Sequence, residues 1–383
     1  MLRHRGVAAA LVALVALGGG GCSDDDGDAA PTTTSGPVPD EARFPGTEWE
    51  RVDPSEAGFD PDGLDQLADA AEAAQSTCLV VVRDGALIDE RYWGDGADDV
   101  PREAFSVTKS VTSTLVGIAQ DDGDLDIEEP ASRYIEEWEG TPSAEVTIRN
   151  LLSNDSGREW SLETDYRSMA ALAPDKTGFA IGLGQDAPPG SVWAYNNSAI
   201  QTLDAVIERA TGTAAQELAE DRLFGPLGMA SSELRTDPTG NTLAFMGLQT
   251  TCLDLARFGH LALNHGRWGD EQVVSESYLE EATGRSSTEL NAGYGFLWWL
   301  NRRGPIASPV VATGAPGEGS IAEGQIDPAA PEDVFWALGF GNQIVAVIPS
   351  EGIVAVRMGA RPPAEAPFTQ AVLTDALLEA LEE

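Results

Sequence analysis

Ser106-Val107-Thr108-Lys109 places a hydroxyl and a primary amine three residues apart at the head of a predicted helix, so the two side chains share one helix face. Lysine is scarce in this chain: Lys109 and Lys176 are the only two among 23 basic residues. Arginine keeps its proton, whereas a lysine withdrawn from water can become neutral and act as a base. Ser106 and Lys109 therefore read as a nucleophile beside its activator. A lone Ser-x-x-Lys also arises by chance, so its meaning depends on what surrounds it.

Working outward, Asp60-Pro61 reads as an N-cap and first-turn proline, followed by apolar positions at helical spacing to Ala74. Cys78 to Val82 and Ala86 to Tyr92 are short apolar runs joined by Asp84-Gly85, a hairpin signal. Near the C-terminus, Phe335 to Leu338, Ile344 to Ile348 and Ile353 to Arg357 read as strands, and a helix from about Ala364 to Leu381 closes the chain. Between these groups the pattern is mostly helical, with clear helices at Ser106 to Gln120 and Ser198 to Ala210, the second stopped by Thr211-Gly212. This order predicts an α+β domain in which both chain ends build one antiparallel sheet, about 46–100 and 290–383, around a helical insert, about 101–289. The cleft between sheet and helices is the place for chemistry. Residues 304–331, rich in Gly and Pro and without periodicity, read either as a lid or as a disordered segment.

The N-terminus carries Arg3 and Arg5 ahead of a short apolar run from Val7 to Leu17, which predicts an export signal over 1–21. The run is too short to span a bilayer. It ends in Gly18-Gly19-Gly20-Gly21-Cys22, which is similar to the bacterial lipoprotein cleavage box, although Gly19 stands where leucine is usual. That likeness implies lipidation of Cys22, with plain signal cleavage and secretion as the alternative. Residues 22–45 then read as a disordered acidic tether, and 46–383 as the folded domain.

Lys and Arg total 23 against 63 Asp and Glu, a net charge of −40. Such a balance excludes nucleic acid and anionic membrane surfaces as partners and leaves a lipid anchor as the only route to a membrane. No protein partner is expected. Cys78 and Cys252 can pair in an oxidising compartment or remain two buried thiols. No cysteine or histidine cluster has metal-ligand spacing, so neither metal nor other cofactor is expected. Apart from His4 in the signal, only His260 and His265 occur, close together near a helix end where helix-terminal or surface packing suits them. With no G-x-S-x-G elbow either, a Ser-His-Asp hydrolase is disfavoured.

A partner that relays the nucleophile's proton is supplied by Tyr195-Asn196-Asn197. Ser106-x-x-Lys109 followed by Tyr195-x-Asn197 resembles the serine hydrolases of the class C β-lactamase, D-alanyl-D-alanine carboxypeptidase and esterase family. Further matches are Leu151-Leu152-Ser153 to Ser156-Gly157, Pro189-Gly190, Pro226-Leu227-Gly228-Met229, Asp254 to Gly259 and Tyr294 to Trp299. The resemblance implies a β-lactamase/transpeptidase-like fold and an acyl-enzyme on Ser106. Lys109 or Tyr195 would be the base, and Asn197 would orient Lys109 and the substrate. As plain structure, Ser106 or Asn197 would instead cap its helix, either cap being worth about 1 kcal/mol.

The family's third box, a cation then a hydroxyl then glycine on a strand, is where the chain departs. Lys176-Thr177-Gly178 has the residue types but precedes Tyr195 and lies on no strand-like run. One register puts the box at Asp333-Val334-Phe335 and the other at Ala337-Leu338-Gly339, and neither supplies cation or hydroxyl. The backbone N–H of the next residue, Trp336 or Phe340, would complete the oxyanion hole. With Gly339 to Gln343, this variant looks like the 6-aminohexanoate-dimer hydrolase and esterase branch, where Asp165-Tyr166 would contact substrate unless they are simply an exposed loop pair. The expected function is an exported serine hydrolase of small carboxylic esters or linear amides. A D-amino-acid peptidase or β-lactamase is the alternative enzyme, and an inactive tethered binding protein the alternative of another class.

Overall fold

The computed structural model describes residues 43–314 and 322–382. The export signal, Cys22 and the tether as far as residue 42 lie outside the described residues. The principal elements are α1 (Pro61–Ala73), β1 (Ser76–Arg83), β2 (Ala86–Tyr92), α2 (Thr108–Asp121), α3 (Asn197–Thr211), α4 (Cys252–Leu263), β3 (Trp299–Leu300), β4 (Phe335–Gly339), β5 (Gln343–Ile348), β6 (Ile353–Gly359) and α5 (Gln370–Glu379). The six strands form one antiparallel sheet in the order β2-β1-β6-β5-β4-β3, built from both chain ends as the sequence predicts.

Alternation along the strands divides the core into two layers. Cys78, Val80 and Val82 of β1, with Val345 and Val347 of β5, face the helical region, while Leu79, Val81, Ile344, Ala346 and Ile348 face α1 and α5. Asp84 and Gly85 turn β1 into β2 with φ of 49° and 76°, the double left-handed geometry of a tight hairpin. Cys78 is joined to Cys252, which ties β1 to the first residue of α4 and resolves the alternatives left by the sequence.

Four expectations need adjustment. The closing helix starts at Gln370, not near 364, because Pro362, Pro363 and Pro367 interrupt the run and Thr369 supplies the cap by accepting the Val372 N–H. Residues 304–331 contain a short two-stranded ribbon, Gly304–Ile306 with Ala322–Gly324. Residues 43–45, read as tether, lie against α4. There His260 packs in the last turn of α4, the helix-terminal alternative, and is buried rather than on the surface: its ring meets Phe44 and Trp268, and its Nε2 donates to the Arg43 carbonyl at 2.7 Å. Burial pushes this imidazole down to about 4, keeping it neutral. Among the described residues no helix is long and apolar enough to cross a membrane.

Candidate active site

Ser106 sits in a single 3-10 turn, Phe105–Val107, immediately ahead of α2 rather than within it. Phe105 takes a left-handed φ of 49°, rare for a bulky residue, and this bend sets the serine at the mouth of the helix. One turn on, the Lys109 side chain is buried, with Nζ 2.8 Å from Ser106 Oγ and donating to the Phe245 carbonyl at 2.9 Å. The same nitrogen lies 4.8 Å from the centre of the Tyr195 ring. Loss of water pushes the amine down to about 7, with the charge of Asp165 opposing part of that fall. An amine half-neutral near pH 7 can take a proton from Ser106.

Tyr195 is fixed by aromatic packing: it stacks on Trp299 with ring centres 5.7 Å apart and meets Tyr294 edge-on at 6.2 Å. Burial raises its hydroxyl well above the ordinary tyrosine value, an effect that the neighbouring Ser106 only partly offsets. The phenol therefore stays protonated. Ser106 and Lys109, one turn apart, and Tyr195, distant from both in sequence, lie together in one constellation. Phe245 was not foreseen, because it takes part through its backbone carbonyl, which no residue type announces.

Residues 64–378 match the β-lactamase family. The chain belongs to that family. The family consists of serine hydrolases, and its curated relatives include a 6-aminohexanoate-dimer hydrolase of Paenarthrobacter ureafaciens, 26% identical over 274 residues, covering 63% of this chain and 70% of that protein. A D-aminopeptidase of Cereibacter sphaeroides is 28% identical over 204 residues, covering 47% of this chain and only 37% of its own length. The crystal structure of a family VIII carboxylesterase superposes with a TM-score of 0.64 at 14% identity, covering 85% of this chain and 99% of that one, which speaks for the fold alone.

Against the β-lactamase family pattern, the two registers of the third box separate cleanly. Along β4, Phe335 and Ala337 face the helices, whereas Trp336 faces the opposite layer, where its indole donates to Thr374 at 3.1 Å. Its backbone is paired on both sides, with Ala346 and Trp299. Trp336 is therefore not an oxyanion donor, and Asp333 lies at the far end of the strand, accepting from the Ser350 N–H at 2.8 Å. The other end reaches the nucleophile: a Cβ on Gly339 would lie 2.2 Å from the Ala104 carbonyl, and the exposed Phe340 ring meets Phe105 at 5.6 Å. Ala337-Leu338-Gly339 is thus the segment beside Ser106, and it carries neither cation nor hydroxyl.

Asp165 and Asn197 also differ from expectation. Asp165, expected at the substrate or in an exposed loop, is wholly buried in a π-helical segment, Glu163–Leu172, and binds Asn197 and Ser198. Asn197 gives its side-chain amide to Asp165 at 2.6 Å, and the α3 cap is Asn196, which accepts the Ala199 N–H at 2.9 Å. Tyr166 is half-exposed, its hydroxyl near Asn197 and pushed up to about 12 by burial and by the charge of Asp165. A cavity of about 540 Å3, lined by Trp160, Val192, Ala194, Asn196 and Val310 among others, opens beside the Tyr195 segment, and Trp160 Nε1 donates to the Tyr195 carbonyl at 3.1 Å. His265, Glu276 and Glu280, which lie close enough together to share a cation, have no residue in common with this site.

Proposed function

We propose that the protein is an exported serine hydrolase that cleaves small carboxylic esters or linear amides through a Ser106 acyl-enzyme. The observation that carries this reading is the buried Lys109 amine, half-neutral near pH 7 and 2.8 Å from Ser106 Oγ. Ser106 Oγ attacks the carbonyl carbon while its proton passes to neutral Lys109, which favours Lys109 over the protonated Tyr195 as the base. The oxyanion faces the Ser106 N–H at the head of α2, with the Phe340 N–H as second donor. Collapse expels the alcohol or amine, which takes up a proton from the Tyr195 and Lys109 pair. Water then attacks the acyl-enzyme, and the carboxylic acid leaves. The 6-aminohexanoate-dimer hydrolase among the relatives is in keeping with this reading.

The absent third-box cation separates esters and linear amides from β-lactams and C-terminal peptides, whose carboxylate would lose a charge-assisted hydrogen bond. That loss is about 1.5–3 kcal/mol, or roughly 10- to 100-fold in kcat/KM. Fluorophosphonate treatment followed by intact-mass spectrometry should give one adduct, absent from Ser106→Ala, and p-nitrophenyl butyrate should be turned over with higher kcat/KM than nitrocefin. Efficient nitrocefin turnover with poor ester cleavage would replace this reading with the β-lactamase or D-amino-acid peptidase one. An adduct persisting in Ser106→Ala would remove the acyl-enzyme.

Export with a lipid on Cys22 is part of the same proposal, supported by the N-terminal pattern and by a buried disulfide, a bond kept in oxidising compartments. The mature protein should partition into detergent and carry a diacylglyceryl mass. Recovery of all of it as soluble protein cleaved elsewhere would leave simple secretion.

A further inference from the structure

The hairpin between β4 and β5 turns through Phe340, Gly341 and Asn342, the last two with left-handed φ of 78° and 60°, and Phe340 is half-exposed at its tip. Carbonyls in such a surface turn ordinarily face water. Here all three are taken by side chains buried behind the turn. Gln343 Nε2 donates to the Phe340 carbonyl at 3.0 Å and to the Gly359 carbonyl at 2.8 Å, and Gln343 Oε1 accepts the Gly359 N–H at 2.9 Å. Arg357 Nη1, reaching across from β6, donates to the Gly341 and Asn342 carbonyls at 2.8 and 3.0 Å. Its other nitrogens donate to the Ser76 hydroxyl at 2.7 Å and to the Ala74 and Ala360 carbonyls at 3.0 and 2.9 Å. Arg357 has no exposed surface, and no carboxylate is among these partners. A buried charge without an ion pair is costly. Ile353 and Ala355, on the same face of β6, are apolar, so filling that layer does not call for a cation. What the guanidinium supplies is a rigid fork of donors that binds several backbone carbonyls at once.

We infer that Gln343 and Arg357 are positioning residues for the oxyanion hole: by holding the three carbonyls of the turn they fix the Phe340 N–H beside Ser106. The inference rests on the acyl-enzyme reading, in which that N–H is the second oxyanion donor. The turn is gripped from both sides. On the nucleophile's side Gly339 abuts the Ala104 carbonyl and the Phe340 ring meets Phe105, the residue before Ser106, while Gln343 and Arg357 hold the turn from the sheet. None of the described hydrogen bonds uses the Phe340 N–H itself, which leaves it available to a developing oxyanion. A donor carried on a loose hairpin tip would have to be ordered in every turnover, whereas a donor already in place stabilises the oxyanion without that reorganisation.

The test measures the limiting rate of nitrophenol release in the acylation step for p-nitrophenyl butyrate and for its thionocarbonyl counterpart, whose sulfur is a weak hydrogen-bond acceptor. Gln343→Met keeps the side-chain length and removes the donor to Phe340. Removing an oxyanion donor outright costs about 100- to 1,000-fold, so loosening one should slow the oxygen ester about tenfold or more, with the half-saturating concentration unchanged. The thionoester gains less from the hole, so the ratio of the two rates should shrink about threefold or more. Arg357→Lys, which keeps the charge and loses the fork, should move both readings in the same direction. Val347→Ala, at the far end of the same strands, should lower the unfolding temperature and leave the ratio at its wild-type value. If Gln343→Met does not fold, Arg357→Lys is read alone. A folded variant with the wild-type ratio, or a ratio that shrinks equally in Val347→Ala, overturns the inference, and failure of both variants to fold assigns the two residues a purely structural role. A wild type that is not acylated at all removes the acyl-enzyme reading itself and this inference with it.

Discussion

Lys109 is a residue at which chemistry and stability oppose each other. Its amine titrates near 10.5 when unfolded and about 7 when folded, so between those values the unfolded chain holds a proton that the native state lacks. Stability therefore rises with pH across that window, and burying the amine costs about 3 kcal/mol at pH 8. Lys109→Met removes that cost but leaves the Phe245 carbonyl without its donor, which returns about 1–2 kcal/mol. The expected outcome is a protein roughly 1 kcal/mol more stable at pH 8 in urea unfolding, with the gain larger at pH 7 and gone by pH 10.5, and at least about a hundredfold slower. A variant less stable at every pH would show that Lys109 is not held near neutrality. Ser106, Lys109 and Tyr195 were legible in the sequence because their side chains do the chemistry. Phe245 was not, since a carbonyl belongs to every residue.

At the scale of elements, legibility followed periodicity. The strands from both chain ends could be read as short apolar runs because both their faces are buried, and β1 shows this with Val80 toward the helical region and Leu79 toward α1 and α5. The third box stayed ambiguous because a count along the chain cannot assign a face. Trp336 and Phe340 differ by an even number of residues, so even alternation left both open, and the decision came from the end of β4 that meets the Phe105 turn. The segment around Asp165 was misread for a related reason. A π-helical stretch breaks the 3.6-residue rhythm, so a buried carboxylate there has the pattern of an exposed loop. The two-residue delay of α2 behind Ser106 likewise has no compositional sign, because it depends on the left-handed Phe105.

At the scale of the molecule, the sheet and the helical region are stitched together by Cys78 and Cys252, 174 residues apart, one on β1 and the other at the start of α4. Sequence could place both cysteines inside the domain but could not decide their pairing, which depends on how α4 lies across the strand. The loop they close contains the nucleophile, the tyrosine segment and Asp165, so the cross-link restrains in the unfolded chain all the parts that must assemble into the site. Chain-entropy reasoning for a loop this long gives about 5 kcal/mol, and measured losses on removing native disulfides run to about 2–5 kcal/mol. Both sulfurs belong to buried residues, so reductant should act slowly on the native state and readily on the unfolded one. The Cys78→Ala, Cys252→Ala double variant is therefore expected to lose about 2–5 kcal/mol in urea unfolding while keeping its ester kcat near the wild-type value under conditions where it remains folded, since neither cysteine touches Ser106, Lys109 or Tyr195 in any described contact. Titration of the purified exported protein should find no reactive thiol from this pair until it is both unfolded and reduced. Two thiols titrating in the unfolded, unreduced protein would mean that the pair is not formed in its native compartment, and the support that the disulfide lends to export would fall with it.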